Sequence, residues 1–214
     1  MDTFNFSPAP DSTMILLVRH GVTPTTGQVL PGRAPGLHLS EKGEEQAQLV
    51  AQRLRGLELK ALYSSPMERT RETAAPAALL FNLDPLIDSG LVECDFGEWT
   101  GAQLKELSAL PEWKSVQETP STFRFPGGES FVEMQKRMVS ALRRIAARHP
   151  GEVVACFSHA DPIKCAVAEL SGTELDAFQK IQIDPASISL AEFHRDGRTE
   201  ILLRNSNAGA LRRQ

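Results

Sequence analysis

The sequence predicts an α/β protein: a three-layer α/β/α sandwich with a mostly parallel central sheet and an antiparallel edge hairpin. Three observations carry this prediction. Two short apolar runs without alternation, 14–18 (MILLV) and 152–158 (EVVACFS), have the length and character of strands buried on both faces. Helical periodicity fills the stretches between strands, as the crossovers of a layered sheet require. At the end of the chain, 188–194 (ISLAEFH) and 199–204 (TEILLR) flank Arg195-Asp196-Gly197-Arg198 and read as a hairpin closed by an Asp-Gly turn.

Along the chain, the first strand stops at Arg19-His20-Gly21, so polar chemistry begins where a strand ends. A loop rich in Gly, Pro and Thr follows over 21–39, then a helix from about Ser40 with Ala47, Val50, Ala51 and Leu54 on one face before Gly56. After a short strand at 59–64, Ser65 as N-cap, Pro66 at the first helical position and Glu68 three residues after the cap predict a helix reaching about Phe81. Its core side is Met67, Thr70, Ala74, Ala77 and Phe81, and Arg69 lies in its first turn. A mixed stretch, 84–128, contains Glu93 and ends in the Pro126-Gly127-Gly128 breaker. Within it, about 100–128 reads as a partly apolar lid bearing Leu104, Leu107, Leu110 and Trp113. The helix 129–148 turns Val132, Met138, Leu142, Ile145 and Ala146 to the core and Lys136, Arg137, Arg143, Arg144 and Arg148 to solvent. Following the strand 152–158, Asp161 as N-cap and Pro162 after it predict a helix that reaches Leu170 and stops at Gly172.

The whole reads as a single domain over 14–204, flanked by mobile tails at 1–13 and 205–214. Gly 15 and Pro 14 in 214 residues are ordinary usage, which excludes collagen-like and Pro/Gly-driven disordered classes. A formal net charge of −4 without a basic cluster argues against nucleic acid as a partner. No apolar run approaches the roughly 18 residues of a membrane span. Three cysteines without a C-x-x-C pair fit neither a disulfide framework nor a tetrahedral zinc site, and the N-terminal residues do not form a signal peptide, so a reducing, cytoplasmic setting is expected. On net charge alone a small anionic ligand is disfavoured; the strand ends reverse that expectation.

In such sheets ligands bind outside the carboxyl ends of the strands. Here those ends deliver Arg19 and His20, the helix start bearing Arg69, and His159. Two histidines with arginines beside them suit a compact dianion such as a phosphate monoester, because a guanidinium donates paired hydrogen bonds to phosphate oxygens and a helix N-terminus favours anions. A neutral imidazole, His20 or His159, can attack phosphorus in line and form a covalent intermediate. The leaving alkoxide then needs a proton, which a carboxylic acid with a burial-raised pKa supplies, and Glu93 is the candidate. The arginines hold the equatorial charge, so no metal or other cofactor is required. The alternative, a metal held by His159 and Asp161 with His20 and Glu93, is disfavoured because Asp161 serves better as a cap and the arginines would repel a cation. The basic face of helix 129–148 is read as solvated, and His38, His149 and His194 receive no role.

These residues sit in segments that resemble the histidine phosphatase superfamily, in its phosphoglycerate-mutase-like branch. The matching segments are LVRHGVT (17–23), LPGRAPGLHLSEKGEEQA (30–47), SSPMERTRETA (64–74), LVECDFGEWTG (91–101), FPGGES (125–130) and VACFSHADP (154–162), in the family's order. The resemblance implies that His20 is the nucleophile that becomes phosphohistidine, with Arg19 as phosphate ligand, Arg69 and His159 stabilising the transferring group, and Glu93 as proton donor. It further implies phosphate contacts from Thr23 and Thr26, with Gly32 in the loop that closes over the substrate. Ala160, where the family usually has Gly, keeps its N–H near the phosphate. Thr26 departs from the family's frequent Asn, and Thr100 from a frequent Glu.

The expected function is a metal-independent phosphomonoester phosphatase acting on a small phosphorylated metabolite. A phosphomutase is the runner-up, since the substrate's own hydroxyl can replace water as acceptor; the moderate length of the lid favours hydrolysis. A non-catalytic phosphate-binding regulatory protein is the remaining alternative, against which stands the nucleophile itself. The closing hairpin offers an edge for pairing as a homodimer.

Overall fold

The structure is a computed structural model that describes residues 7–209 and 211. Its first strand, β1 (Ser12–Arg19), is followed by α1 (Glu41–Leu54), β2 (Leu59–Ser64), α2 (Glu68–Phe81) and a two-residue strand β3 (Leu86–Ile87). Two short helices, α3 (Leu104–Leu107) and α4 (Trp113–Glu118), precede the long α5 (Phe131–Arg148). Then come β4 (Val153–Ser158), α6 (Ala160–Leu170), and the hairpin of β5 (Ile188–His194) and β6 (Thr199–Ser206). The six strands form one sheet in the order β3-β2-β4-β1-β5-β6. Strands β3, β2, β4 and β1 run parallel, and β5 and β6 join antiparallel at one edge, as the sequence predicts.

The alternation of side chains along β1 builds the three layers. Met14, Leu16 and Val18 pack with Val50, Ala51 and Leu54 of α1 and Ala74 and Ala77 of α2 on one face. Ile15 and Leu17 pack with Met138, Leu142 and Ile145 of α5 and Ile163, Ala166 and Val167 of α6 on the other. A run with no polar alternation is therefore what a strand covered on both faces needs. A third apolar cluster, built on Phe96, Trp99, Phe125, Phe131 and Phe178, supports the lid region over the sheet edge.

Several element boundaries differ from the sequence expectation for identifiable reasons. Strand β1 begins at Ser12, because Ser12 and Thr13 already pair with β5. The C-terminal segment is held as far as it is described: Asn205 and Ser206 belong to β6, Arg53 donates to the carbonyls of Ser206 and Gly209, and Leu211 is buried. The remaining residues expected to be mobile, 1–6, 210 and 212–214, lie outside the described residues. Helix α2 starts at Glu68 with Met67 as N-cap and no side-chain cap, so Ser65 does not cap it. Asp161 likewise does not cap α6: its N-cap is His159, with no side-chain cap bond. In α5 the cap is Ser130 in a full capping box with Glu133, and Val132, placed on the core side by periodicity, is 45% exposed. No helix among the described residues is long and apolar enough to cross a membrane.

Candidate active site

The parallel strands β1, β2 and β4 end together, with Arg19 in register with Ser158 and Ser64 with Phe157. That register places His20, Ser65 and His159 side by side just beyond the sheet. The rings of His20 and His159 lie 5.3 Å apart, inclined at 64°. Both are buried, as are Arg69 and Glu93. Together with Arg19, Thr23, Thr26 and Ala160, His20 and Glu93 line a cavity of about 580 Å³.

The backbone after β1 can lie so close to α1 because two glycines face each other. A Cβ on Gly21 would meet the Gly43 carbonyl oxygen at 2.6 Å, and one on Gly43 would meet the Val22 carbonyl oxygen at 2.1 Å. Val22 N–H donates to Gln46 Oε1 and Gly21 N–H to Thr73 Oγ1, so both helices of that layer hold the loop. His20 Nδ1 lies 2.7 Å from the Gly21 carbonyl oxygen. A carbonyl only accepts, so Nδ1 carries the proton and Nε2 keeps its lone pair. Burial, with Arg69 and Arg19 adding to it, pushes the His20 pKa down to about 3, which keeps this ring neutral.

His159 is held from its other side. Ser65 Oγ sits 2.8 Å from Nε2 and accepts Met67 N–H at 3.4 Å, leaving the hydroxyl proton for the ring. With Nε2 accepting that hydroxyl proton, the imidazole proton sits on Nδ1, which lies 3.7 Å from Glu93 Oε2. Burial, followed by the arginines and His20, lowers the His159 pKa as well. His20 lines the cavity, and His159 lies behind it, its ring 5.3 Å away.

Arg69 sends Nη2 to the Gly32 carbonyl oxygen at 3.0 Å, and Arg19 sends Nη1 to that of Ile183 at 2.7 Å. Each guanidinium is held by one nitrogen only. Arg69 Nε and Nη1, Arg19 Nε and His159 Nδ1 are buried and find no hydrogen-bond partner among the described residues. Buried donors left unpaired are costly, and a bound anion would satisfy them; of these three residues Arg19 lines the cavity, whereas Arg69 and His159 stand outside its lining. Glu93 accepts Cys94 N–H on Oε1 at 2.9 Å. Burial first and Asp161 second raise its pKa to about 7, against the lowering pull of Arg69 and Arg19.

Thr23 and Thr26 both line the cavity, with Thr26 Oγ1 accepting Thr23 N–H at 2.8 Å, so the shorter residue at position 26 braces its own loop. Gly32 does not line the cavity; it acts through its carbonyl on Arg69 and has φ +52°. A Cβ there would meet Thr100 Oγ1 at 2.9 Å, so the residue at position 100 packs directly on this loop.

Sequence reasoning missed several contributors. Ser65, read as a cap, orients His159. Arg137, read as solvated, donates to the carbonyls of Gly90 and Val92 at 2.9 Å and forms a two-pronged pair with Glu129. Arg33 joins this pair and donates Nε to the Glu93 carbonyl at 2.9 Å, so three side chains fix the Glu93 backbone. The distal cavity is walled by Leu30, Leu104, Trp113 and Val116 on one side and by Lys164, Gln179 and Gln182 on the other. Segment 179–183 carried no sequence signal, because it reaches the site only through the topology. A different set of metal-compatible groups, Glu192, His194 and Glu200, brings ligand atoms within 4.8 Å of one another. It belongs to the far end of β1, where His194 pairs with Ser12.

The chain is 33% identical over 195 residues to phosphoserine phosphatase 1 of Hydrogenobacter thermophilus, covering 89% of this chain and 90% of the relative. It is 32% identical over 184 residues to a probable phosphoglycerate mutase GpmB of Cronobacter sakazakii, covering 85% of each. Among solved structures, Entamoeba histolytica phosphoserine phosphatase in complex with 3-phosphoglyceric acid superposes with a TM-score of 0.81 at 26% identity, covering 91% of this chain and 97% of that one. The family model of the histidine phosphatase superfamily (branch 1) matches residues 15–206, and the chain belongs to that family.

Proposed function

We propose that the chain is a metal-independent phosphatase that hydrolyses small phosphomonoesters through a phosphohistidine at His20. The observation that carries this reading is the neutral His20, its Nδ1 tied to Gly21, set among buried guanidinium N–H groups without partners. In the first step the Nε2 lone pair forms a bond to phosphorus while the bond to the ester oxygen breaks. The leaving oxygen takes the electron pair and the proton of Glu93. Arg19, Arg69 and His159 Nδ1–H hold the equatorial oxygens as charge develops on them. In the second step water attacks phosphorus, gives a proton to the Glu93 carboxylate and releases inorganic phosphate, and Nε2 recovers its lone pair. No metal takes part in either step.

The relatives named as phosphoserine phosphatases support a phosphorylated metabolite as substrate, and the short helices α3 and α4 over the cavity support water as acceptor in preference to a retained intermediate. Steady-state assays with a panel of phosphorylated metabolites in the presence of EDTA, with acid-labile, alkali-stable ³²P trapped on the protein by rapid quench, test the reading. The parent is expected to turn over and to trap label, and His20→Ala to do neither, with kcat down at least about 10³-fold. An unlabelled protein, a His20→Ala variant as fast as the parent, or loss of activity in EDTA overturns it. Isomer formation from 3-phosphoglycerate without phosphate release would replace it with the mutase.

A further inference from the structure

Asp161 occupies the cavity without the task its position suggests. It follows the N-cap by two residues, caps nothing, and has among the described residues a single ion-pair partner, Lys164 Nζ at 3.5 Å. It lines the same cavity as Glu93 and His20. Pro162, with its fixed φ, stiffens the helical turn that carries it. A second carboxylate beside a site for a dianion weakens ground-state binding of that dianion, so its presence calls for a compensating benefit.

The surroundings of Glu93 identify that benefit. Arg19 from the end of β1 and Arg69 from α2 both favour an ionised Glu93. His20 and His159 are neutral neighbours, the latter 3.7 Å away. Arg33 and Arg137 with Glu129 act on the backbone of Glu93, and Lys164 lies beyond Asp161 on α6. Besides burial, the group on this roster that opposes ionisation is Asp161, a second carboxylate on the wall of the same cavity.

We propose that Asp161 is a positioning residue for the reaction's proton: its negative charge, fixed on the first turn of α6, keeps the proton on Glu93 against the pull of Arg19 and Arg69. The kinetic consequence rests on the phosphatase reading; the proton retention itself does not. Lys164, partnered with both Asp161 and Gln179, holds the Asp161 carboxylate in place and partly offsets its charge.

Carboxyl ¹³C NMR titration of protein labelled in the glutamate side chain, with Glu93→Gln identifying the Glu93 resonance, tests this without reference to turnover. The Glu93 midpoint is expected to fall by about one pH unit in Asp161→Asn and to stay near that of the parent in Asp161→Glu. Lys164→Met is expected to move it the opposite way, upward. In parallel, kcat/KM for an alkyl phosphate, whose leaving group needs a proton, is followed against pH. The alkaline limb of the Asp161→Asn profile should move down with the NMR midpoint, giving about a tenfold loss above the limb and little loss below it. An unmoved Glu93 midpoint in Asp161→Asn, an equal fall in Asp161→Glu, or a fall in Lys164→Met overturns the proposal. Midpoints that move as expected in a protein that hydrolyses no phosphomonoester uphold Asp161 and reject the phosphatase.

Discussion

Four side chains at the sheet edge acquire their chemistry from single hydrogen bonds. His20 is directed by the Gly21 carbonyl and His159 by Ser65, while Arg69 and Arg19 each spend one nitrogen on a backbone carbonyl and keep the others for a ligand. Glu93 is the residue whose protonation sets the pH response. Its pKa is raised to about 7, so in the proposed mechanism it can donate a proton below that value and is an ionised carboxylate above it. In the parent, kcat/KM for an alkyl phosphate should therefore be level on the acid side of about pH 7 and fall roughly tenfold per unit above it. In Glu93→Gln the limb should vanish and kcat/KM, which reports the step up to departure of the leaving group, should drop about 10²–10⁴-fold, whereas for p-nitrophenyl phosphate, whose leaving group departs without a proton, kcat/KM should lose far less. Equal losses on both substrates would remove Glu93 from the donor role. At this scale Arg19, His20 and His159 stood out because they close or directly follow buried strands. Ser65 and Asp161 were expected as caps because an oxygen-bearing residue at a helix start looks the same in sequence whether its oxygen serves a backbone N–H or another side chain.

At the level of elements, the site depends on how closely β1's exit loop approaches α1. The approach of Gly21 to Gly43, and of Gly43 to the Val22 carbonyl, leaves no room for a methyl group, and Gly43 has no positive φ that would also explain its identity. Gly43→Ala gains helix propensity, worth about 1 kcal/mol at an exposed helical site. Here that gain should be outweighed by a Cβ placed against backbone, with net destabilisation of about 1–3 kcal/mol, read by urea denaturation. Because the loop that must move follows His20 directly, kcat should fall at least tenfold even where the variant is fully folded; a stabilised and fully active variant would refute this packing argument. The long elements were readable because apolar spacing repeats often enough to reveal which face is buried. The strand β3, with two residues, and the helices α3 and α4, with four and six, are too short to repeat a period, and they form only against the rest of the fold. Arg137 escaped for a related reason: periodicity put it on the polar face of α5, and only the tertiary fold brings Gly90, Val92 and Glu129 to that face.

For the whole molecule, a net charge of −4 and a site for an anion are compatible because the field that matters is local. Arg69 is completely buried, yet two of its three nitrogens have no partner among the described residues. A charge so placed is a burden on the unliganded fold that a bound phosphate relieves. Inorganic phosphate at a hundredfold excess over its dissociation constant should stabilise the parent by about 2.7 kcal/mol, a rise in Tm of about 5–10 °C for a domain of this size. Arg69→Met fills similar volume without the charge and loses only the bond to Gly32. Its Tm in phosphate-free buffer should match or exceed that of the parent, despite the loss of a completely buried side chain, and should not respond to phosphate. Were Arg69 a structural residue, the same substitution would lower Tm by several degrees and leave the phosphate response intact, so one pair of melting curves separates a fold that uses this arginine from a fold that tolerates it for its ligand.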